Sequence, residues 1–240
     1  DILGFDTAHK CQILASLAYS TRVTLDEIPV EGITKITHLD VAYAREMGYI
    51  IKLLAIIRKV DGEIEARVHP TLVPLTHMLA SVNQVFNAAM VHGDLSGDTL
   101  YYGRGAGREP TASTVIGDIG DIARNLMSGR SRYRRGVCTA NQGQLRVRPA
   151  AEIVSRYYVR LMVLDKAGSL GTMTTILGRH GVSILAATQQ EPPAELAADA
   201  GYVPVVILTH PAKGAEMDAA LREIRAAGVL NEEPVKLRMI

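Results

Sequence analysis

The chain has 240 residues, 48% of them apolar, and a formal net charge of +1. That length and apolar fraction suit a soluble globular chain of one large domain or two smaller ones, and the near-neutral charge gives no whole-chain reason to expect nucleic acid. No apolar run reaches the length a bilayer requires, and Cys11 and Cys138 stand far apart, which speaks against a disulfide framework or a structural zinc site and for a reducing cytoplasm.

The sequence lacks an initiator methionine and opens in what reads as a loop entering a helix, so it is expected to be the downstream part of something longer. Asp6 is placed as the N-cap of that helix, with Ala8, Cys11, Leu14, Leu17 and Ala18 predicted as its buried stripe. Asp6 and Lys10 stand four apart and therefore face the same way. They read either as an acid/base pair or as a surface ion pair, the latter worth about 0.3–0.5 kcal/mol.

Residues 22–37 look irregular, and a helix is expected from Thr37 or His38 to a stop at Gly48. Ile50 to Val60 reads as a strand, Asp61-Gly62 as a tight hairpin turn, and Glu63 to Val68 as the return strand, with Pro70 and Pro74 expected to break the pattern. A short helix near His77–Ser81 follows, then strands over 85–92 and 99–102, then a helix from near Pro110 to about Met127. This order predicts a mixed or antiparallel sheet covered by helices on one face, not the strict alternation of a doubly wound fold.

Residues 128–149 carry Arg130, Arg132, Arg134, Arg135, Arg146 and Arg148 and no acid. They read as a connector; a nucleic-acid patch lacks interleaved aromatic residues beyond Tyr133. From Arg156 onward the pattern is strand, helix, strand, strand, helix, strand, with Tyr157, Val159, Leu161 and Val163 on one face. That is a ferredoxin-like βαββαβ arrangement. The fold class is therefore α+β, with domains expected over 1–150 and 151–240.

Two loops have the makings of ligand sites. Gly103-Arg104-Gly105-Ala106-Gly107 precedes a helix, where glycines permit close backbone approach to an anionic or planar ligand; a tight structural turn explains them equally well. Asp165-Lys166-Ala167-Gly168-Ser169-Leu170 joins a strand to a helix, and offers a carboxylate for an ammonium and helix-start amides for a carboxylate. The alternative is an Asx-type turn with Leu170 in the core. The seven histidines show no metal-ligand spacing, so no metal site is expected.

Three segments together, in this order, resemble homoserine dehydrogenase without its N-terminal nucleotide-binding domain. They are the opening Asp1-Ile2-Leu3-Gly4-Phe5-Asp6-Thr7-Ala8-His9-Lys10, similar to the family's D-x-x-G-x-D-x-x-x-K signature; the Gly103–Gly107 turn with Pro110-Thr111-Ala112-Ser113; and a C-terminal module that looks like an ACT regulatory domain. The resemblance implies that Lys10 is the acid/base lysine, that Asp1 and Asp6 hold the substrate, and that Gly103, Gly105 and Gly107 meet a nicotinamide cofactor, NADP or NAD. It implies interconversion of L-homoserine and L-aspartate 4-semialdehyde, an amino-acid effector such as threonine at Asp165, Gly168 and Leu170, and a homo-oligomer. The family's dinucleotide fold lies in sequence not present here, so the isolated chain is expected to show no turnover. The competing reading is a non-catalytic amino-acid sensor on a dimerisation scaffold.

Overall fold

The structure, a computed structural model, describes residues 2–129, 144–189 and 201–240. In chain order the elements are α1 (Phe5–Tyr19), α2 (His38–Glu46), β1 (Tyr49–Val60), β2 (Glu63–Pro74), β3 (Phe86–Gly93), β4 (Gly97–Arg104) and α3 (Arg108–Met127), followed by β5 (Val154–Leu164), α4 (Ser169–Arg179), β6 (Ile184–Gln189), β7 (Tyr202–Thr209), β8 (Ala212–Lys213), α5 (Gly214–Ala226) and β9 (Val235–Met239). No helix among the described residues is long and apolar enough to cross a membrane.

The first hairpin forms because Asp61 and Gly62 both adopt positive φ, +53° and +82°, the backbone of a two-residue turn that matches strand twist. Its return strand does not stop at Pro70: β2 continues to Pro74 in unbroken register, Leu53 opposite Pro70 and Tyr49 opposite Pro74. Proline is tolerated there because the second neighbour of β2, β9, pairs only with Thr71 and Leu72.

That parallel pairing joins the two halves of the chain. The main sheet runs β1-β2-β9-β5-β7-β6, so the hairpin extends the edge of a ferredoxin-like βαββαβ unit. Helices cover both faces. Alternation along β5 and β7 sends Tyr157, Val159, Leu161, Val163, Val205 and Ile207 against Met173, Ile176 and Leu177 of α4 and Met217, Ala220 and Ile224 of α5. Tyr158, Leu237 and Met239 point the other way and pack on Tyr43 and Ala44 of α2.

α1 lies on that same second face, against Ile64, Ala66 and Val68 of β2. Its buried residues are Ala8, Cys11 and Ala15, whereas Leu14 and Leu17, predicted for the stripe, are each 50% exposed, and Ala18 is exposed too. The small residues win because they let the helix approach the sheet closely, and the leucines project from the opposite side. β3 and β4 form a separate two-stranded sheet, and α3 buries none of its residues in this chain.

The opposite face of the hairpin is charged and still buried. Glu65, Arg67, His69 and Thr71 alternate along β2, each less than 5% exposed. They are satisfied as a ladder: Arg67 donates to Glu65 at 2.6 Å and to His69 Nε2 at 3.1 Å, and the Thr71 hydroxyl lies 2.9 Å from His69 Nδ1.

Candidate functional site

α1 does not start on Asp6. Its N-cap is Gly4 in the left-handed region, φ +83°, with no side-chain cap, and Asp6 falls inside the first turn. Glycine is required there by conformation and by space, since a Cβ would stand 3.2 Å from Val30 Cγ1 and 3.4 Å from Val68 Cγ1. The turn is closed by a second glycine: a Cβ on Gly32 would run into the Ile2 carbonyl and stand 2.8 Å from Leu3 Cα.

Asp6 and Lys10 form the ion pair expected from their spacing, with side chains 66% and 58% exposed. The Lys10 hydrogen bond and charge hold the Asp6 carboxyl below the usual carboxylate range. Behind them the helix is fixed by Ala8 and Cys11, both fully buried. Burial pushes the Cys11 thiol up to about 11, so it is a neutral packing group and not a nucleophile. The arrangement is an amine and a carboxylate one turn apart, open to a small molecule, on a helix whose inner side packs on β2. Asp1 lies outside the described residues.

The glycine turn is carried by β4 and the start of α3. Gly103 ends in open space, Gly105 lies under the Asn87 side chain, and Gly107, φ +139°, is the N-cap of α3. A Cβ on Gly105 would overlap the Asn87 amide, and the Gly105 amide donates to the Val85 carbonyl at 3.2 Å. Backbone conformation favours glycine at 107, whereas at 105 an added methyl would force the exposed Asn87 side chain to turn away. No packing demands it at 103, where a bare backbone faces outward. Open backbone followed by helix-start amides fits the planar and anionic parts of a dinucleotide.

Asn87 was not legible as a site residue; it is one polar residue in a strand. Lys52 was equally silent. It projects from the charged face of β1 and donates to the Val82 carbonyl at 2.5 Å and to Asn83 Oδ1 at 2.8 Å, anchoring the chain just before β3. Burial lowers its pKa. Both parts of the predicted site are thus tied to the β1–β2 hairpin, α1 by packing and the glycine turn through Lys52. Among the described residues no hydrogen bond or ion pair joins α1 directly to Gly103–Gly107.

The third predicted site is a cavity of about 260 Å³ lined by Val163, Asp165, Gly168, Ser169, Leu170 and Gln189 among others. The Asp165 amide donates to the Gly201 carbonyl at 2.8 Å, and Gly168, φ +94°, is the N-cap of α4. The N-cap of α4 is a glycine, so no side chain caps the helix. Nor does Leu170 enter the core; it is 41% exposed at the cavity rim. The volume lies just below the range of about 300–1,000 Å³ that holds drug-sized ligands, which suits a small one.

Of the six arginines in the predicted connector, Arg130, Arg132, Arg134 and Arg135 lie outside the described residues. The other two are paired: Arg148 Nε donates to Glu63 at 2.8 Å, and Arg146 reaches Glu63 at 2.5 Å and Glu152 at 2.8 Å. No cluster of side chains fit for a metal ion occurs among the described residues.

Comparison with known proteins gives a consistent picture. The family model described as homoserine dehydrogenase matches residues 1–119, and the ACT domain model matches residues 157–226. The homoserine dehydrogenase of Neisseria gonorrhoeae is 39% identical over all of this chain, and that of Helicobacter pylori 40%, the chain covering 54% of each. A crystal structure of a homoserine dehydrogenase from Thiobacillus denitrificans superposes on the whole chain with a TM-score of 0.88 at 36% identity, again over 54% of its own length. That of Staphylococcus aureus, 24% identical with a TM-score of 0.68, supports the fold alone. The chain spans about half the length of the curated relatives it matches.

Proposed function

We infer that this chain, which belongs to the homoserine dehydrogenase family, supplies the substrate-binding and regulatory part of an enzyme that interconverts L-homoserine and L-aspartate 4-semialdehyde. The observation that carries the reading is the open Asp6–Lys10 pair on a helix locked by Ala8, Cys11 and Ala15. We divide the chain near residue 150 into a substrate region and an ACT-type regulatory region.

In the oxidising direction the substrate hydroxyl must lose its proton as hydride leaves the same carbon. Lys10 takes that proton, and in the reducing direction it returns a proton to the aldehyde oxygen as the new C–H bond forms. Asp6 accepts hydrogen bonds from the substrate ammonium and holds Lys10 in place. NADP or NAD, when bound, would supply the hydride-transfer chemistry. Gly103, Gly105 and Gly107 present backbone to it, with Asn87 keeping the turn in shape.

The Asp165–Leu170 loop is read as the site of an amino-acid effector, threonine by family analogy. The Asp165 carboxylate meets its ammonium and the α4 amides after Gly168 meet its carboxylate. On this reading the protein acts in the synthesis of threonine, methionine and isoleucine, as a cytoplasmic homo-oligomer. The full-length protein carrying Lys10→Ala is the test: it should bind cofactor as before and lose most turnover with homoserine. Unchanged turnover would remove Lys10 from the mechanism.

A further inference from the structure

Arg238 on β9 carries an ion pair from the C-terminal module to the loop beside the turn that launches α1. Its side chain is 6% exposed, and Nη1 donates to Glu31 Oε1 at 2.7 Å. The Tyr157 hydroxyl faces the Arg238 guanidinium, which burial penalises, and Arg67 and Lys236 are further cations near this side of the sheet. A buried guanidinium in cationic company depends heavily on its carboxylate.

Glu31 belongs to a loop stitched onto β2: its amide donates to the Val68 carbonyl at 2.8 Å, and the Val68 amide donates to the Pro29 carbonyl at 2.9 Å. The next residue is Gly32, pressed against Ile2 and Leu3, and the Ile33 amide donates to the Ile2 carbonyl at 2.9 Å. Val30 in turn packs on Gly4. α1 has no side-chain cap, so this loop is what fixes its first turn. Lys10 lies six residues beyond Gly4, about 9 Å along the helix. A tilt at the loop therefore displaces the lysine, and a misplacement of about 1 Å can cost about a hundredfold in rate.

We propose that Arg238 and Glu31 are positioning residues for Lys10: their ion pair clamps the 29–33 loop on the Ile2–Gly4 turn, so that the last strand of the regulatory module sets where the proton-transfer group stands. This rests on the reading of Lys10 given above. The regulatory module is then part of the frame of the active site, and not a detachable sensor.

The test is hydrogen exchange by mass spectrometry, with steady-state kinetics, on the full-length protein and its Arg238→Met, Arg238→Lys, Glu31→Gln and Arg238→Met/Glu31→Gln variants. Arg238→Met is the milder lesion, because the half-exposed Glu31 it leaves behind can hydrate. It should raise exchange in residues 2–10 by about tenfold or more while leaving α4 unchanged. It should also lower kcat with homoserine about tenfold or more with the KM for the nicotinamide cofactor unmoved. Arg238→Lys should recover most of both, and the double variant should be no worse than Glu31→Gln alone. Unchanged exchange in 2–10, or equal acceleration through α4, overturns the proposal, as do additive losses in the double variant. If the unmodified protein turns over no homoserine, the proposed function fails, and exchange alone still decides whether the pair holds α1.

Discussion

Asp40 and Arg160 form a buried ion pair, Arg160 Nε donating to Asp40 Oδ1 at 2.7 Å with both side chains almost fully enclosed. Asp40 belongs to α2 and Arg160 to the first strand of the ferredoxin-like unit. Asp40 also accepts from the Tyr158 hydroxyl at 3.1 Å and from the Thr37 amide at 2.9 Å, where it completes the capping box of α2. Arg160 reaches Glu232 as well, at 2.5 Å. One carboxylate thus serves a helix cap, a tyrosine and an arginine.

Asp40→Ala should therefore be among the most destabilising substitutions in the chain, costing about 3–5 kcal/mol, because it leaves the Arg160 guanidinium buried with a single half-exposed partner. Urea unfolding followed by circular dichroism measures it. A loss near 1 kcal/mol, that of a helix cap alone, would show that the interface adds nothing.

Lys10→Ala should separate stability from activity. The side chain is more than half exposed, so the urea midpoint should move by no more than about 0.5 kcal/mol in equivalent stability. Turnover of the full-length protein should fall by about 10²–10⁴-fold. Lys10→Arg should not restore it, because a guanidinium keeps the charge but does not release a proton near neutral pH.

Gly105→Ala should force the exposed Asn87 side chain out of its place over the turn, because the new methyl overlaps it. Its effect should appear as a raised KM for the nicotinamide cofactor. Asn87→Ala, which clears the space, should relieve the defect in the double variant by more than additivity predicts. If the double variant shows the sum of the two single losses, Gly105 is needed for something other than room.

Stability should fall on acidification before the carboxylates titrate. Burial, aided by the charges of Arg238, Arg67 and Lys236, pushes His69 down to about 3. Its folded pKa lies below its unfolded value near 6.5, so between those limits the unfolded chain binds the extra proton. The contribution is complete above pH 6.5 and is lost by up to about 1.4 kcal/mol per pH unit as pH falls toward 3. Urea midpoints of the wild type and His69→Gln between pH 7 and 5 isolate it; equal slopes would mean that His69 charges in the folded state. Below that window Glu65 adds to the loss. Burial raises its pKa, but Arg58 and Arg67 more than offset this and hold it below the usual range.

A small amino acid should raise thermal stability through the Asp165–Leu170 cavity. Threonine at about 100 times its Kd should add about 2.7 kcal/mol, and Asp165→Ala should abolish the shift while leaving the unliganded midpoint in place. Equal shifts in both proteins would move the effector elsewhere.

Much of the fold was legible because its signals are local. The Asp61-Gly62 turn, the βαββαβ order from Val154 onward, and the four-residue spacing of Asp6 and Lys10 each follow from backbone geometry within a few residues. The three candidate loops also stand on elements of the predicted type. Local pattern placed Ala8 and Cys11 correctly on the packed side of α1 but added Leu14, Leu17 and Ala18, which are exposed, and missed Ala15. Hydrophobicity marks a residue that can be buried; which side meets the sheet depends on how closely the helix approaches.

What only the tertiary structure decided is long-range. The pairing of β2 with β9 makes one sheet of two sequence regions, and no periodicity announces it. The same holds for the charged ladder of β2, for Lys52 on Val82, and for Arg160 meeting Asp40 across 120 residues. Each of these groups reads in sequence as an ordinary solvated charge. Its burial is tolerable only because a partner arrives from a distant element, and that partner is a property of the assembled sheet. The sequence alone determined the opening Asp6–Lys10 pair; the glycine contacts around Ile2–Gly4 and the strand behind them determined where it stands.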